Sequence, residues 1–369
     1  MTKAIQKMND FYNQKPNAPI YQIEFGYYSL ERWKREGYID DKTNFGELFG
    51  YDGQGVDYLG QLGWCEAPFY PAYKDEVIAQ EDDYDIVRDY AGRHIKFFKG
   101  RRNGFMPQYI DHPVKDIKTW EEDVKWRLNP DTPERYADLE QRMEHARKNA
   151  EQGMHITQNL IGGYMYLRSL IGPEDLLYIF YDDPNLIHEC MKTWFDVSDR
   201  VCAEHQKYIS FDEVFLAEDI CYNHSCLISH DMMREFLFPY YQQLLANIKR
   251  RQLDKNKKLY VQVDTDGYAV CVIDIYKELG MDYMSPFEVA AGCDVVEVRK
   301  KYPDLLIRGG IDKRILATSK DAIDREIERI MPFMKSKGGY IPTCDHGVPE
   351  EVSFENYMYY RKRMLEYAK

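Results

Sequence analysis

The stretch Leu259-Tyr-Val-Gln-Val-Asp-Thr-Asp-Gly-Tyr268 joins a short apolar strand to a turn that carries two carboxylates. A helical stretch over 270–279 follows, and the next apolar segment begins at Tyr283. A strand, a loop and a helix that leads to another strand form the unit of a parallel sheet with right-handed crossovers. This stretch therefore predicts an α/β fold with reactive side chains at the carboxyl end of a strand.

The same unit recurs from about residue 153 onward. The predicted strands cover 155–158, 214–217, 259–263, 283–286, 305–308 and 339–342, and the predicted helices cover 184–205, 231–251, 270–279 and 320–335. Six units, with about two more in the first third, predict a closed (β/α)8 TIM barrel over 1–369. The alternative is an open doubly wound sheet, but no Gly-x-Gly-x-x-Gly turn supports it.

The first 150 residues are less regular, and we interpret them as an irregular N-terminal extension with the first strands. One strand is predicted over 20–25, followed by a helix that includes 29–33. Asp116 and Thr119 precede the acidic run 121–123, a pattern typical of a helix N-terminus.

Composition narrows the class of protein. The 369 residues carry a net charge of −13, which disfavours nucleic acid and anionic membranes as partners. No apolar run is long enough to cross a membrane, and the first ten residues lack the apolar core of a signal peptide. Eight scattered cysteines do not resemble a disulfide framework. We expect a cytoplasmic protein with reduced thiols.

In a barrel, the residues that follow each strand converge on one face. The polar residues at these positions are Glu218, Asp219, Tyr222, His224, Asp264, Asp266, Glu288, Asp312, Lys313, Cys344, Asp345 and His346. Helix capping or turn chemistry remains an alternative for Asp264, Asp266 and Asp345. Capping alone does not explain why five strands all end in acids or a thiol.

So many carboxylates in one place need a cation, a cationic substrate or shared protons. Asp264 and Asp266 are two residues apart and are able to flank one ion. With Cys344 they form an oxygen, oxygen and sulfur set suited to Zn²⁺ with one open position. The sequence therefore predicts a zinc site of Asp264, Asp266 and Cys344.

Several stretches resemble the uroporphyrinogen decarboxylase superfamily, and more narrowly its corrinoid-linked, zinc-dependent methyltransferase branch. The resemblance runs from about residue 23 to 367, and its main stretches are 163–172, 181–185, 217–222, 228–236, 309–314 and 344–349. It implies a (β/α)8 barrel, in agreement with the strand count, and a homodimer.

Two departures separate the reactions known in this superfamily. The Arg-Gln-Ala-Gly-Arg segment of the decarboxylases corresponds here to Glu24-Phe-Gly-Tyr-Tyr28, which has no arginine to meet a substrate with eight carboxylates. The His-x-Cys-Gly zinc motif of the methyltransferases becomes Asp264-x-Asp266-Gly267, while the late cysteine matches Cys344. The harder ligand set favours an ether, alcohol or amine substrate over a thiol.

The leading interpretation is a methyltransferase that moves a methyl group between a small methoxy or methylamine substrate and a corrinoid carried by a partner protein. The resemblance and the residue pattern together assign candidate roles. The catalytic candidates are Glu218, Asp219, His346 and Tyr222, and the substrate-binding candidates are Arg168, Glu288 and Asp312. The alternatives are a cofactor-free decarboxylase of uroporphyrinogen type and a barrel that binds a ligand or partner without catalysis. The last predicts that the acids point apart.

Overall fold

A computed structural model of the chain describes residues 2–100, 102 and 107–369. Its main sheet has seven parallel strands in the order of the chain. A second, antiparallel sheet of four strands lies between the first and second of these in sequence. The strands are β1 (Val56–Leu59), β2 (Glu76–Gln80), β3 (Tyr84–Arg88), β4 (His94–Phe98), β5 (Gln108–Asp111), β6 (His155–Ile161), β7 (Glu213–Ala217), β8 (Tyr260–Asp264), β9 (Tyr283–Ser285), β10 (Leu306–Arg308) and β11 (Tyr340–Ile341).

Helices fill the crossovers between the parallel strands. The α-helices are α1 (Lys3–Tyr12), α2 (Leu30–Arg35), α3 (Phe45–Phe49), α4 (Ile117–Thr119), α5 (Leu139–Glu151), α6 (Gly163–Ile171), α7 (Asp175–Asp182), α8 (Pro184–His205), α9 (His230–Met232), α10 (Phe238–Arg251), α11 (Ile273–Glu278), α12 (Val295–Lys301), α13 (Lys320–Lys337) and α14 (Phe354–Leu365). Short π turns (Trp120–Val124, Met233–Leu237) and 3₁₀ turns (Lys125–Leu128, Pro133–Tyr136, Ala269–Val272, Val289–Ala291, Ile315–Ala317) complete the set.

The six strands predicted after residue 153 are all confirmed as β6 to β11, with boundaries that differ by a few residues. Their parallel register aligns Ala217 with Asp264 and Asp264 with Ser285, so the carboxyl ends of β7, β8 and β9 lie at one level. The predicted N-terminal helix after Asp116 is also confirmed: Asp116 and Thr119 form a capping box. The apolar periodicity was sufficient to predict these strands, because it depends only on residues that are near neighbours in the sequence.

The prediction of a closed eight-stranded barrel is confirmed only in part. The parallel sheet curls as a half-barrel of seven strands, and no eighth strand joins its ladder within the described residues. The predicted strand over 20–25 is wrong: this segment is extended but forms no ladder. Its continuation makes a single bridge, between Tyr27 and Val348. Side-chain bonds such as that from the Cys344 amide to Glu24 replace a ladder there.

The N-terminal third is also more regular than the sequence suggested. Strands β2 to β5 form an antiparallel sheet that the sequence did not predict. Most positions of β2 are exposed, so the alternation of apolar and polar residues that marks a half-buried strand is weak there. The first third thus supplies one strand to the parallel sheet, β1, where about two were predicted.

The amino-terminal helix α1 covers one end of the curled sheet. Thr2 caps it by accepting a hydrogen bond from the Ile5 amide at 3.3 Å. Its buried residues, including Met8 and Phe11, pack against strand residues such as Tyr283. The opposite end, where the strands finish, is left for the candidate site. Among the described residues, no helix has the length and apolar character needed to span a membrane.

Candidate active site

Seven side chains gather at the carboxyl ends of β7 to β11, and this group is called the mouth below. Its members are Asp219, Asp264, Asp266, Glu288, Lys313, Asp345 and His346. Five different strands or strand-end loops supply them, as expected for the catalytic face of a parallel α/β sheet. Asp219, Asp264 and Glu288 all lie close enough to Asp266 to raise its pKa, so these four acids share one region at the strand ends.

The loop after β7 is held against β8 by its backbone. The amides of Glu218 and Asp219 both donate to the carbonyl of Asp264, at 2.8 and 3.2 Å. Asp219 has a φ of +43°, a left-handed conformation that a non-glycine residue adopts at some cost in energy. The loop therefore fixes the Asp219 carboxylate over the end of the sheet.

Arg168, on α6, neutralises Asp219. Its Nη1 lies 2.6 Å from Asp219 Oδ2, and both side chains are partly exposed. The structure thus places Arg168 beside the mouth, and its predicted role in substrate binding stays a prediction. The Arg168 guanidinium is already paired with the Asp219 carboxylate, so it would have to release Asp219 to bind an anionic substrate.

Lys313 stands between two carboxylates. Its Nζ lies 3.2 Å from Glu288 Oε1 and 3.5 Å from Asp345 Oδ1. Asp345 also accepts backbone hydrogen bonds from the amides of Val289 and Lys313, at 2.8 and 3.2 Å. Glu288 accepts from the Gly267 amide at 2.9 Å, which ties the β8 loop to the β9 loop. These contacts build one side of the mouth.

Asp264 lies deeper, at the end of β8. Burial raises the pKa of its carboxyl to about 6, although a hydrogen bond from Ser285 and the nearby Arg308 oppose this shift. Gln262, two residues earlier on the same strand, donates to the Ser285 hydroxyl at 2.9 Å. Asp264 is therefore a fixed, mostly ionised carboxylate at neutral pH.

Asp266 is the acid with the most altered titration. Burial, followed by the charges of Asp219, Asp264 and Glu288, raises its pKa to about 8, even though two-fifths of the side chain remains exposed. No Lys or Arg lies within 4.0 Å of this carboxyl in the described part of the chain. Asp266 is therefore largely protonated at neutral pH and holds a proton that it can donate.

His346 is the nearest basic group to Asp266, with Nε2 3.6 Å from Oδ2. Burial and the positive charge of Lys313 lower the pKa of the imidazole, so the ring is neutral at pH 7 and does not ionise Asp266. The ring stacks on Tyr28 and packs beside Phe25, both from the segment that follows α1. His346 thus joins the acid to an aromatic wall.

Glu218 does not face the mouth. Its side chain is fully buried and accepts hydrogen bonds from the Tyr164 amide at 2.9 Å and the Tyr241 hydroxyl at 2.6 Å. Burial raises its pKa to about 7. The structure therefore places this predicted catalytic residue behind Asp219, where it anchors α6 to the β7 loop.

Cys344 is also away from the mouth. The thiol is fully buried, and burial, with the charges of Glu24 and Asp345, raises its pKa well above the usual range. Within residues 2–100, 102 and 107–369, no three His, Cys, Asp or Glu side chains stand in a metal-binding arrangement. The predicted ligands Asp264, Asp266 and Cys344 are thus not brought together, and they do not fit a zinc ion as placed.

Two other predicted residues lie at the edge of the mouth. Asp312 is paired with the guanidinium of Arg314, at 2.9 and 2.8 Å, and this pair lowers its pKa despite its burial. Tyr222 is half exposed, and its carbonyl accepts the Tyr268 amide at 2.9 Å. Neither side chain joins the acid cluster.

Sequence reasoning missed Arg308, which lines the interior of the curled sheet beneath Asp264. It was read as the last residue of an apolar strand. An arginine in a strand that is otherwise apolar was the available signal, because an inward charge needs a partner. Tyr28 was likewise missed as a wall of the mouth, since a loop residue gives no periodic signal.

Comparison with known proteins identifies the family. The sequence model described as "Uroporphyrinogen decarboxylase (URO-D)" matches residues 92–367. A curated "Uroporphyrinogen decarboxylase" from Hydrogenobaculum sp. (strain Y04AAS1) is 23% identical over 136 residues, a match that spans 37% of each chain. A solved structure described as "methyltransferase from Methanosarcina mazei" is similar over 100% of both chains, with a TM-score of 0.60 and 13% identity. This structural similarity shows a common fold.

Proposed function

We propose that this chain, which belongs to the uroporphyrinogen decarboxylase family, is a methyltransferase that moves a methyl group from a small methoxy or methylamine substrate to a corrinoid protein. One observation carries the proposal. Asp266 lies among Asp219, Asp264 and Glu288 with no Lys or Arg paired to it in the described residues, and burial and these charges raise its pKa to about 8. A group of this kind is suited to general acid catalysis near neutral pH.

The chemistry needs such an acid. When the methyl group leaves, the bond between its carbon and the substrate oxygen or nitrogen breaks, and the electron pair stays on that atom. Asp266 donates its proton there, so that an alcohol, a phenol or an amine departs rather than an anion. Burial and the charges of Asp219, Asp264 and Glu288 keep the proton on Asp266, because a further negative charge in this cluster is unfavourable.

The methyl acceptor belongs to the partner in this proposal. A corrinoid cobalt would supply the nucleophile that receives the methyl group. Half-exposed tyrosines lie beside the mouth, namely Tyr28, which stacks on His346, and Tyr222 in the loop after β7. Flat, exposed rings next to the acid are compatible with a planar macrocycle presented by another protein. No zinc step is included, since the predicted ligands are not assembled.

A screen for methyl transfer tests this proposal. Free Co(I) cobalamin is supplied as acceptor, with methoxyaromatics, alcohols and methylamines as donors, and spectral change of the corrinoid is followed. Asp266→Asn is expected to lower the rate by about 10²- to 10⁴-fold, the usual contribution of a general acid. The wild-type rate is expected to fall as the pH rises through about 8, because the acid form is lost. A pH profile without this fall contradicts the role of Asp266.

Decarboxylation of a uroporphyrinogen-type substrate is the second candidate. The family match and the curated relative both favour it, since both carry that name. Against it, Arg168 and Lys313 are already paired with acids, so little positive charge at the mouth is left for a polycarboxylate. Turnover of uroporphyrinogen beside a silent methyl-transfer screen would reverse the ranking.

A further inference from the structure

A cavity of about 240 Å³ lies inside the curled sheet, between α1 and the inner faces of the strands. It is distinct from the mouth, because no residue of the mouth lines it. Its polar lining comes from several strands and the segment after α1, and it includes Tyr21, Tyr58, Glu213, Gln262, Tyr283 and Arg308. The cavity is thus walled by tyrosine rings and carries one guanidinium.

Arg308 forms no ion pair with a carboxylate in the described part of the chain, and the Tyr58 hydroxyl is its hydrogen-bonding neighbour. Its Nε is buried and has no hydrogen-bond partner, and no carboxylate in the described residues lies within 4.0 Å of the guanidinium. Its electrostatic neighbours are Tyr283, Tyr58, Asp264 and Glu24. Buried charges in proteins are nearly always paired, and an unpaired N–H donor in a cavity indicates a missing acceptor.

The other ionisable groups of the cavity do not cancel this charge. Burial raises the pKa of Glu213 to about 8, so this acid is mainly neutral at pH 7, and it accepts a hydrogen bond from the Tyr12 hydroxyl at 2.7 Å. Asp52 is paired with Lys7, whose Nζ lies 2.9 Å from its carboxylate. Among the residues that line the cavity, the charge of Arg308 therefore lacks a paired carboxylate, and this favours an anion.

We propose that this cavity binds a small aromatic monocarboxylate, with the carboxylate on Arg308 and the ring among the tyrosines. An apolar cavity of about 150 Å³ is known to hold benzene, so the observed volume accommodates one ring and a carboxylate. Guanidinium and carboxylate groups form strong paired hydrogen bonds, and tyrosine rings pack well on another ring.

Hydrogen bonds between protein side chains connect the cavity to the mouth. Gln262 lines the cavity and donates to Ser285, whose hydroxyl donates to Asp264. A bound carboxylate on Arg308 removes part of the positive charge that Asp264 experiences. The site goes beyond the proposed methyl transfer and does not depend on it.

Calorimetric titration of the full chain with benzoate tests the proposal, with benzamide as the neutral analogue and acetate as the ringless one. Benzoate is expected to bind at least about tenfold more tightly than either. Arg308→Met is expected to weaken benzoate binding by about 10- to 100-fold. Arg325→Met, an exposed arginine of α13, serves as the matched control and is expected to bind as wild type does.

Two further variants keep the test decisive if Arg308→Met does not fold. Arg308→Lys retains the charge but loses the paired geometry, so it is expected to weaken benzoate binding more than benzamide binding. Tyr58→Phe is expected to weaken it by a few fold while the protein stays folded. The proposal is wrong if benzoate does not bind at millimolar concentration, if benzamide equals it, or if the folded Arg308 variants bind benzoate as tightly as wild type. If benzoate binds but no methyl transfer is detected, the proposed function is contradicted and the cavity proposal still holds.

Discussion

Asp266 differs from the other acids of the mouth in the way its charge is balanced. Asp219 has Arg168 beside it, and Glu288 has Lys313. Asp266 meets only the neutral ring of His346, so it is more stable with its proton than without it. A residue held in this state is useful for catalysis but costs stability when it ionises.

We expect Asp266→Asn to stabilise the protein while it lowers the rate of methyl transfer by about 10²- to 10⁴-fold. The folded-state pKa of about 8 lies above the unfolded value of about 3.9, so wild-type stability falls as the pH rises from about 4 to 8. The asparagine variant escapes this loss, and its advantage grows over the same range to roughly 1 kcal/mol after solvent screening. Urea unfolding at pH 5, 6.5 and 8 measures it. Exposed Asp83→Asn is the control, and an unchanged difference across pH contradicts the prediction.

The position of Cys344 supports a prediction about the metal content of the protein. Its thiol is sealed beside the buried Glu24 and is not placed with Asp264 or Asp266 around one point. We therefore expect the metal content of the purified protein, whatever its value, to be the same in Cys344→Ala as in wild type. Elemental analysis of both proteins measures this. Loss of one equivalent of zinc in the variant would restore the zinc site that the sequence predicts.

The loops after β9 and β10 determine how closely the strand ends approach one another. Gly309 has a φ of +104°, and a Cβ atom there would lie 1.9 Å from the carbonyl oxygen of Pro286. The amide of the next residue, Gly310, donates to the same carbonyl at 3.0 Å. The absence of a side chain thus allows the two strand ends to bond directly, just before the turn that carries Lys313.

Gly309→Ala is expected to destabilise the protein by about 2–4 kcal/mol, since both the backbone conformation and the Pro286 contact become unfavourable. Activity should fall as well, because Lys313 shifts relative to Glu288. Gly60→Ala is the matched control: a Cβ there meets nothing within 4 Å, so a change of less than about 0.5 kcal/mol is expected. Thermal or urea unfolding of the two variants compares them. Equal unfolding free energies for the Gly309→Ala and Gly60→Ala variants would show that the loop after β10 accommodates a side chain without loss of stability.

At the scale of the whole molecule, the N-terminal segment and the C-terminal helix meet at the gap in the curled sheet. Glu24 is buried there and accepts hydrogen bonds from the Cys344 amide at 2.7 Å and the Tyr357 hydroxyl at 3.0 Å. Arg361, also on α14, donates to Gln22 at 3.0 Å. One carboxyl thus joins the N-terminal segment to the loop after β11 and to α14.

Glu24→Ala is therefore expected to cost about 3–5 kcal/mol of unfolding free energy, because it leaves buried donors without acceptors. Glu24→Gln keeps one acceptor and should cost less. Exposed Glu351→Ala is the control and should change stability little. Urea denaturation followed by circular dichroism gives the three values. A small effect in Glu24→Ala would mean that this segment adds little to the stability of the fold.

Much of the fold was determined by local sequence. The alternation of apolar strands and amphipathic helices after residue 153 predicted β6 to β11 and the helix over 184–205, because burial periodicity depends only on near neighbours. The position of Asp219, Asp266, Glu288 and His346 at strand ends followed from the same alternation. The segment over 20–25 failed because its side chains suit a strand but no ladder partner is available.

The tertiary structure alone decided what the polar residues do. The sequence placed Cys344, Glu218 and Asp266 in one candidate site, but the fold buries the first two and leaves only Asp266 at the mouth. It also places Arg308 in a cavity without a paired carboxylate. Desolvation and charge pairing depend on neighbours brought from distant segments, so a strand-end pattern predicts where such residues lie but not which of them keep a proton, a partner or access to solvent.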